Sequence, residues 1–168
     1  MIKRIFLAVV VQVTCLTPPV HSLDLMLSGE DTVTVIDGDT IKIINNGRNL
    51  ARVRLAGIDA PELSQDYGQQ AKMALIDIVK NKEIVVTTFT KDRFGRYIGI
   101  LSSRGIDLNN VMVESGNAWV YKKYVTNLSK KLASKYLESE MTARRKKIGL
   151  WRRSDPVAPW LYRKQKQR

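Results

Sequence analysis

The order of elements readable in the sequence predicts an α+β fold. Strand-like segments come first, one helix follows, two more strands come next, and helices close the chain. The apolar spacing supports this class, because it switches between a period of two and a period near 3.6 over short segments separated by turn signals. The length of 168 residues suits one domain with a real buried core.

Each element has its own signal. Between Thr32 and Ile44, β-branched residues flank Asp37-Gly38, a strand pattern broken by a tight turn, and Asn46-Gly47 marks a second turn. From Leu50 to Ile58 the chain alternates, with Val53 and Leu55 on one face and Arg52 and Arg54 on the other, until Pro61 ends it. Ala71, Ala74, Leu75, Ile78 and Val79 follow the spacing of an amphipathic helix. Two further strands, from Ile84 to Phe89 and from Tyr97 to Leu101, are joined by a turn around Gly95. Asp107 can cap a short helix through Glu114, with Gly116 just past its end. A short extended piece follows from Ala118 to Tyr121, then a basic helix without an internal breaker from Leu128 to Ile148. Five short strands in meander pairs with about three helices suit a small, partly open barrel of the oligonucleotide-binding kind.

Charge and rare residues narrow the chemistry. Lys and Arg number 28 against 16 Asp and Glu, a formal net charge of +12. There is one Cys and one His, Cys15 and His21. Both fall in residues 1–22, which read as a secretory signal peptide: Lys3 and Arg4, an apolar run from Ile5 to Leu16, the breaker Thr17-Pro18-Pro19, and Ser22 at the exit. The apolar run falls well short of the roughly 20 residues needed to span a bilayer. The processed chain is therefore expected to be exported, periplasmic or secreted, with no stable membrane anchor. It would lack His and Cys, which excludes a Cys nucleophile, a Ser-His triad, a disulfide framework and an ordinary zinc site. Residues 23–151 are expected to form the domain and 152–168 a basic tail. In that tail Arg152, Arg153, Arg163, Lys164, Lys166 and Arg168 face a single acid, Asp155. It reads either as a solvated end or as an electrostatic arm for a polyanion.

Three segments stand out together: V-I-D-G-D-T at Val35–Thr40, V-R-L-A-G-I-D-A-P-E at Val53–Glu62, and D-R-F-G-R at Asp92–Arg96. Each has an ordinary structural reading as a turn or strand end. Their joint occurrence, with W-V-Y at Trp119–Tyr121 and L-W at Leu150-Trp151, resembles the staphylococcal-nuclease (thermonuclease) family across nearly the whole processed chain. That resemblance implies a five-stranded oligonucleotide-binding (OB-fold) Greek-key barrel. It also implies Ca²⁺-dependent, sugar-nonspecific cleavage of DNA and RNA to 3′-phosphate products.

The resemblance also implies roles. Asp39, Asp59 and the backbone carbonyl of Ala60 match the metal ligands, and a hard cation on oxygen donors suits a site without His or Cys. Glu62 matches the general base for the attacking water. Arg54 and Arg96 match the two guanidinium groups that grip the phosphate, a task suited to Arg's planar, permanently charged fork. Asp37 and Thr40 would orient the ligands and the metal's waters. Arg93, Phe94, Trp119 and Tyr121 match the substrate-binding set, with Arg93-Phe94 standing in place of the family's Lys-Tyr pair and Trp119 in place of a Tyr. Ala60 stands where a Thr is common, which leaves the ligand carbonyl intact. The partners implied are DNA and RNA, single- or double-stranded without sequence specificity, and nothing demands more than a monomer. A binding module that kept the fold and lost catalysis is the alternative, and the presence of every acidic and Arg position argues for the enzyme. The leader should be cut near Ser22. N-terminal sequencing of exported protein checks this, and a product that retains residues 5–16 would show an anchor instead.

Overall fold

The computed structural model describes residues 23–26 and 31–167, so the expected signal peptide lies outside the described residues. The chain runs β1 (Leu23–Met26), β2 (Asp31–Asp37), β3 (Thr40–Asn45), β4 (Arg48–Leu55), β5 (Ile58–Asp59) and α1 (Gly68–Val79). It continues with β6 (Val85–Lys91), β7 (Tyr97–Ser103), β8 (Ile106–Asp107), α2 (Leu108–Glu114), β9 (Trp119–Val120), α3 (Lys122–Val125) and α4 (Lys130–Arg145). A 3₁₀ turn at Gly149–Arg152 and a last helix, α5 (Pro159–Lys166), complete it.

The class is α+β, as expected. The five strands expected are β2, β3, β4, β6 and β7, and they join in one mixed sheet of order β1-β6-β7-β4-β3-β2, with β8 on β7. The hydrogen-bonded path is open, in keeping with a partly open barrel. All pairings are antiparallel except β4 with β7, where Arg54 lies beside Ile98 and Leu55 beside Gly99. The inward residues Ile41, Ile43, Val53, Leu55, Val86 and Leu101 are almost fully buried and meet Ala71 and Leu75 of α1 and Leu108 and Met112 of α2. The alternation along β4 therefore leaves Arg52 and Arg54 on the outer face.

Chain geometry next to the site is set by polar pins. After β4 the backbone turns at Gly57, whose φ of +75° and closeness to Leu128 and Tyr136 leave no room for a side chain. It then forms β5, which leaves the main sheet and pairs with β9, setting Asp59 opposite Trp119. The buried Glu140 of α4 holds β9 in turn, accepting from the Val120 amide at 2.9 Å. Asn109 of α2 is fully buried and ties β7 to the bend after β4. Its Oδ1 accepts from the Leu101 amide at 3.1 Å, and its Nδ2 donates to the carbonyls of Ala56 and Gly99 at 3.2 and 3.1 Å.

Two differences from the expected elements have plain causes. The long basic helix expected from Leu128 to Ile148 is α4, which begins where Ser129 accepts from the Leu132 amide at 3.3 Å, and a separate short helix, α3, precedes it. The basic segment 152–168, expected as a tail beyond the domain, is folded against it: Ala158 is buried, and α5 begins with the buried Pro159 in its first turn. The excess of cations obscured an apolar anchor, Ala158-Pro159-Trp160, which joins a second small core with Trp119, Ala143, Leu150 and Trp151. No helix among the described residues is long and apolar enough to cross a membrane.

Asn109→Ala should lower the unfolding free energy by about 2 kcal/mol or more, because it strands buried backbone groups worth about 1–3 kcal/mol when unsatisfied. Urea denaturation measures this. A loss below about 0.5 kcal/mol would show that these groups find other partners.

Candidate active site

The turn between β2 and β3 carries the first acid. Gly38 packs so closely that a Cβ there would come within 2.6 Å of the Ala60 Cβ and 2.8 Å of the Ala71 Cβ. This contact seats Asp39 against the chain that follows β5. Its Oδ2 accepts from the Ala60 amide at 2.6 Å, its Oδ1 accepts from the Thr40 hydroxyl at 3.1 Å, and its own amide donates to Asp37 Oδ1 at 3.1 Å. Asp37 and Thr40 thus orient Asp39 directly.

Arg54 spans the two buried acids from β4. Its Nη1 lies 2.7 Å from Asp39 Oδ2 and its Nη2 lies 2.7 Å from Asp59 Oδ1. Asp59 is fully buried and Asp39 nearly so. Burial pushes the Asp39 carboxyl up to about 8, against the lowering effect of Arg54, with Asp37 and Asp59 adding to the rise. The centre is thus a desolvated acidic pocket in which ionising Asp39 is costly and a nearby positive charge favours its charged form.

Glu62 sits on the short loop into α1. The loop is closed by hydrogen bonds from Gln65 N to Glu62 O at 2.8 Å and from Glu62 N to Gln65 Oε1 at 3.2 Å. Gly68 is obligatory at the loop's end, since a Cβ there would strike the Glu62 carbonyl. The side chain is partly exposed and reaches the acidic centre through Arg163, an α5 residue of the basic C-terminal segment. Arg163 Nη1 donates to Glu62 Oε1 at 2.7 Å and to Asp59 Oδ1 at 3.1 Å, while Nη2 donates to Asp59 Oδ2 at 2.8 Å. Although burial works the other way, these bonds to Asp59 and Glu62 raise the guanidinium further above its ordinary value.

The remaining expected residues lie elsewhere around the centre. Arg96 belongs to the hairpin tip between β6 and β7 and is engaged there, its Nε donating to Asp92 Oδ2 at 2.8 Å. Burial works against it, but hydrogen bonds from Arg96 and the Phe94 amide together hold the Asp92 carboxyl below its usual range. Phe94 is 68% exposed, with the Arg93 and Arg96 guanidinium carbons 4.8 and 5.6 Å from its ring centre. Trp119 and Tyr121 form part of an aromatic cluster. Trp119 meets Trp151 and Trp160 edge-on at 4.4 and 5.6 Å, and Tyr121 stacks parallel to Trp160 at 5.4 Å. Tyr124 covers another side of Tyr121 at 4.8 Å. The structure therefore brings Asp39, Arg54, Asp59, Ala60 and Glu62 together, keeps Arg96 and Phe94 on a neighbouring hairpin, and encloses Trp119 and Tyr121. Arg163 and Trp160 were legible only through their spacing: three apart on one helix, they share a face.

Comparison with known proteins gives a consistent result. The family model described as staphylococcal nuclease homologue matches residues 52–153. An endonuclease of Escherichia coli O157:H7, itself uncharacterized, is 42% identical over 135 residues, covering 80% of this chain and 84% of that protein. A micrococcal nuclease of Shigella flexneri is 38% identical over 145 residues, covering 80% of this chain and 79% of its own length. An uncharacterized endonuclease of Haemophilus influenzae is 36% identical over 135 residues, covering 80% of this chain and 72% of its own length. The family model and these relatives agree, and the chain belongs to the staphylococcal nuclease family.

Proposed function

We propose that the chain is an exported, Ca²⁺-dependent nuclease that cleaves DNA and RNA without sugar or sequence preference and leaves 3′-phosphate ends. The observation that carries this reading is the pair of buried carboxylates, Asp39 and Asp59, bridged at 2.7 Å on each side by the Arg54 fork. The residues fit a hard cation. Their donors are oxygens only, and the Ala60 backbone lies against Asp39. Among the described residues no cluster of three or more His, Cys, Asp or Glu is suited to a metal, so the reading depends on two carboxylates with one carbonyl. Asp39, Asp59 and the Ala60 carbonyl would hold Ca²⁺, which would supply charge stabilisation for a phosphate gaining negative charge.

The chain's own residues account for the rest. With the carboxylates' charge met, the Arg54 fork can pair with two phosphate oxygens, a bidentate contact that strengthens as charge builds. Glu62 accepts a proton from the water whose oxygen bonds to phosphorus. The bond from phosphorus to the 5′ oxygen breaks, and that oxygen takes a proton from solvent water as it leaves, so the phosphate stays on the 3′ side. Arg96, on the adjacent hairpin, is the second phosphate-gripping group in this reading, exchanging Asp92 for substrate. Arg93 and the exposed Phe94 ring offer a cationic and stacking contact for the strand, a mode that tolerates any base. Trp119 and Tyr121 contribute by shaping the wall of the groove. Export rests on the signal-like residues 1–22.

Plasmid and RNA cleavage should require Ca²⁺ and cease in EGTA, with Mg²⁺ a poor substitute because it demands strict octahedral geometry. Full activity in EGTA with Mg²⁺ would contradict the assigned cation, and no cleavage with Ca²⁺ would favour a binding module. Arg54→Lys should lower kcat by about 10²–10³-fold, since a point charge cannot replace two aligned donors. Near wild-type turnover in steady-state assays would remove Arg54 from the transition state.

A further inference from the structure

Arg163 reaches Glu62 across a separation of 101 residues, and the way it is held there carries a functional assignment. A carboxylate offers about four lone-pair positions. On Asp59, Arg54 and Arg163 both use Oδ1, and Arg163 alone uses Oδ2, so acceptor capacity remains on Asp59. On Glu62, Arg163 takes Oε1 and no described protein group takes Oε2. Glu62 is thus fixed through one oxygen and open through the other, the arrangement a proton acceptor needs.

The helix that supplies Arg163 is fastened at several independent points. Ala158 and Pro159 are buried, and the Trp160 ring lies between Trp119 and Tyr121. The Val157 carbonyl accepts from Gln65 Nε2 at 2.6 Å, the Tyr162 hydroxyl donates to the Ser64 carbonyl at 2.7 Å, and Lys166 Nζ lies 2.8 Å from Ser64 Oγ. Ser64 and Gln65 belong to the loop that carries Glu62. The α5 segment therefore grips the loop from outside while Arg163 grips its functional side chain from inside. A plug that leaves whenever substrate arrives would have to break all of these contacts at each turnover.

We propose that α5 is a fixed wall of the active site and that Arg163 is a positioning residue, holding the Glu62 carboxylate beside Asp59 in the geometry that accepts a proton from water. The proposal rests on the reading of Glu62 as the proton acceptor. Without this tie, Glu62 is a partly exposed side chain with free rotamers, and misplacement of a reacting group by about 1 Å can cost about 10²-fold in rate.

The test uses the full processed chain with Arg163→Met, Arg163→Gln and Arg163→Lys. Steady-state cleavage of a defined oligonucleotide in Ca²⁺ is measured beside calorimetric Ca²⁺ titration and thermal unfolding. Arg163→Met should lower kcat about 10²-fold with KM changed less than about threefold, as loss of positioning rather than of binding requires. It should bind Ca²⁺ at least as tightly as wild type, because a cation beside Asp59 has gone while Arg54 still holds that carboxylate. Arg163→Lys should recover part of the lost turnover, since one ammonium can reach Glu62 but cannot fork to both acids. If Arg163→Met fails to fold, Arg163→Gln decides by the same criteria. Wild-type or higher kcat in the neutral variants would overturn the proposal, the second outcome identifying α5 as a removable plug. A joint fall in kcat and Ca²⁺ affinity would also overturn it, by placing the effect on Asp59. If wild type itself cleaves nothing, the nuclease reading fails and takes this proposal with it. If wild type cleaves and the Arg163 variants match it, this proposal fails alone.

Discussion

Two carboxylates, Asp39 and Asp59, are buried side by side, and the surrounding architecture is organised by what that burial demands. An isolated charge removed from water is costly, and two like charges together are costlier, unless cations and amides compensate them. Here the compensation comes from distant parts of the chain: Arg54 on β4, the Ala60 amide and Arg163 on α5. A site so arranged tolerates added positive charge and gives electrostatic contacts more weight than they would have in water. These are the two properties that metal-assisted phosphodiester cleavage needs.

Keeping the acids in register requires a scaffold that controls a few backbone positions closely. Gly38 and Gly57 permit close approaches that any side chain would block. Asn109 ties β7 to the bend after β4, and Glu140 holds β9 and so β5, the strand of Asp59. Glu140 is itself a buried acid, with Arg144 3.3 Å from its second oxygen. Tyr136 and Asp107 form a further buried polar contact at 2.8 Å, and burial together with Asp107 raises the Tyr136 phenol well beyond its ordinary value. Such buried networks fix one arrangement of elements where an apolar core alone would permit several.

Much of this was legible in the sequence because local physics determines it. The alternation of Val53 and Leu55 with Arg52 and Arg54 set the outward face of β4, and the Ala71 to Val79 stripe set α1. Asp107 caps α2 as its position suggests, accepting from the Asn110 amide at 3.0 Å. The acids of the centre were legible too, as short motifs on turns and strand ends. Long-range placement was not. Nothing local to Arg163 says that it meets Asp59, because the docking depends on a pocket assembled from Trp119, Tyr121 and Trp151. The pairing of Arg96 with Asp92 is another case, in which a local carboxylate four residues away competes for a group otherwise matched to substrate.

The central claim is that the buried acids and the C-terminal helix form one electrostatic unit, and a double-mutant cycle between Asp59→Asn and Arg163→Gln tests it directly. Unfolding free energies of the wild type, both single variants and the double variant would be measured by urea denaturation in EGTA. If Arg163 compensates the buried carboxylate, the two losses should be non-additive, with a coupling energy of about 1–2 kcal/mol. Losses that add to within about 0.3 kcal/mol would contradict the account, because independent sites behave that way.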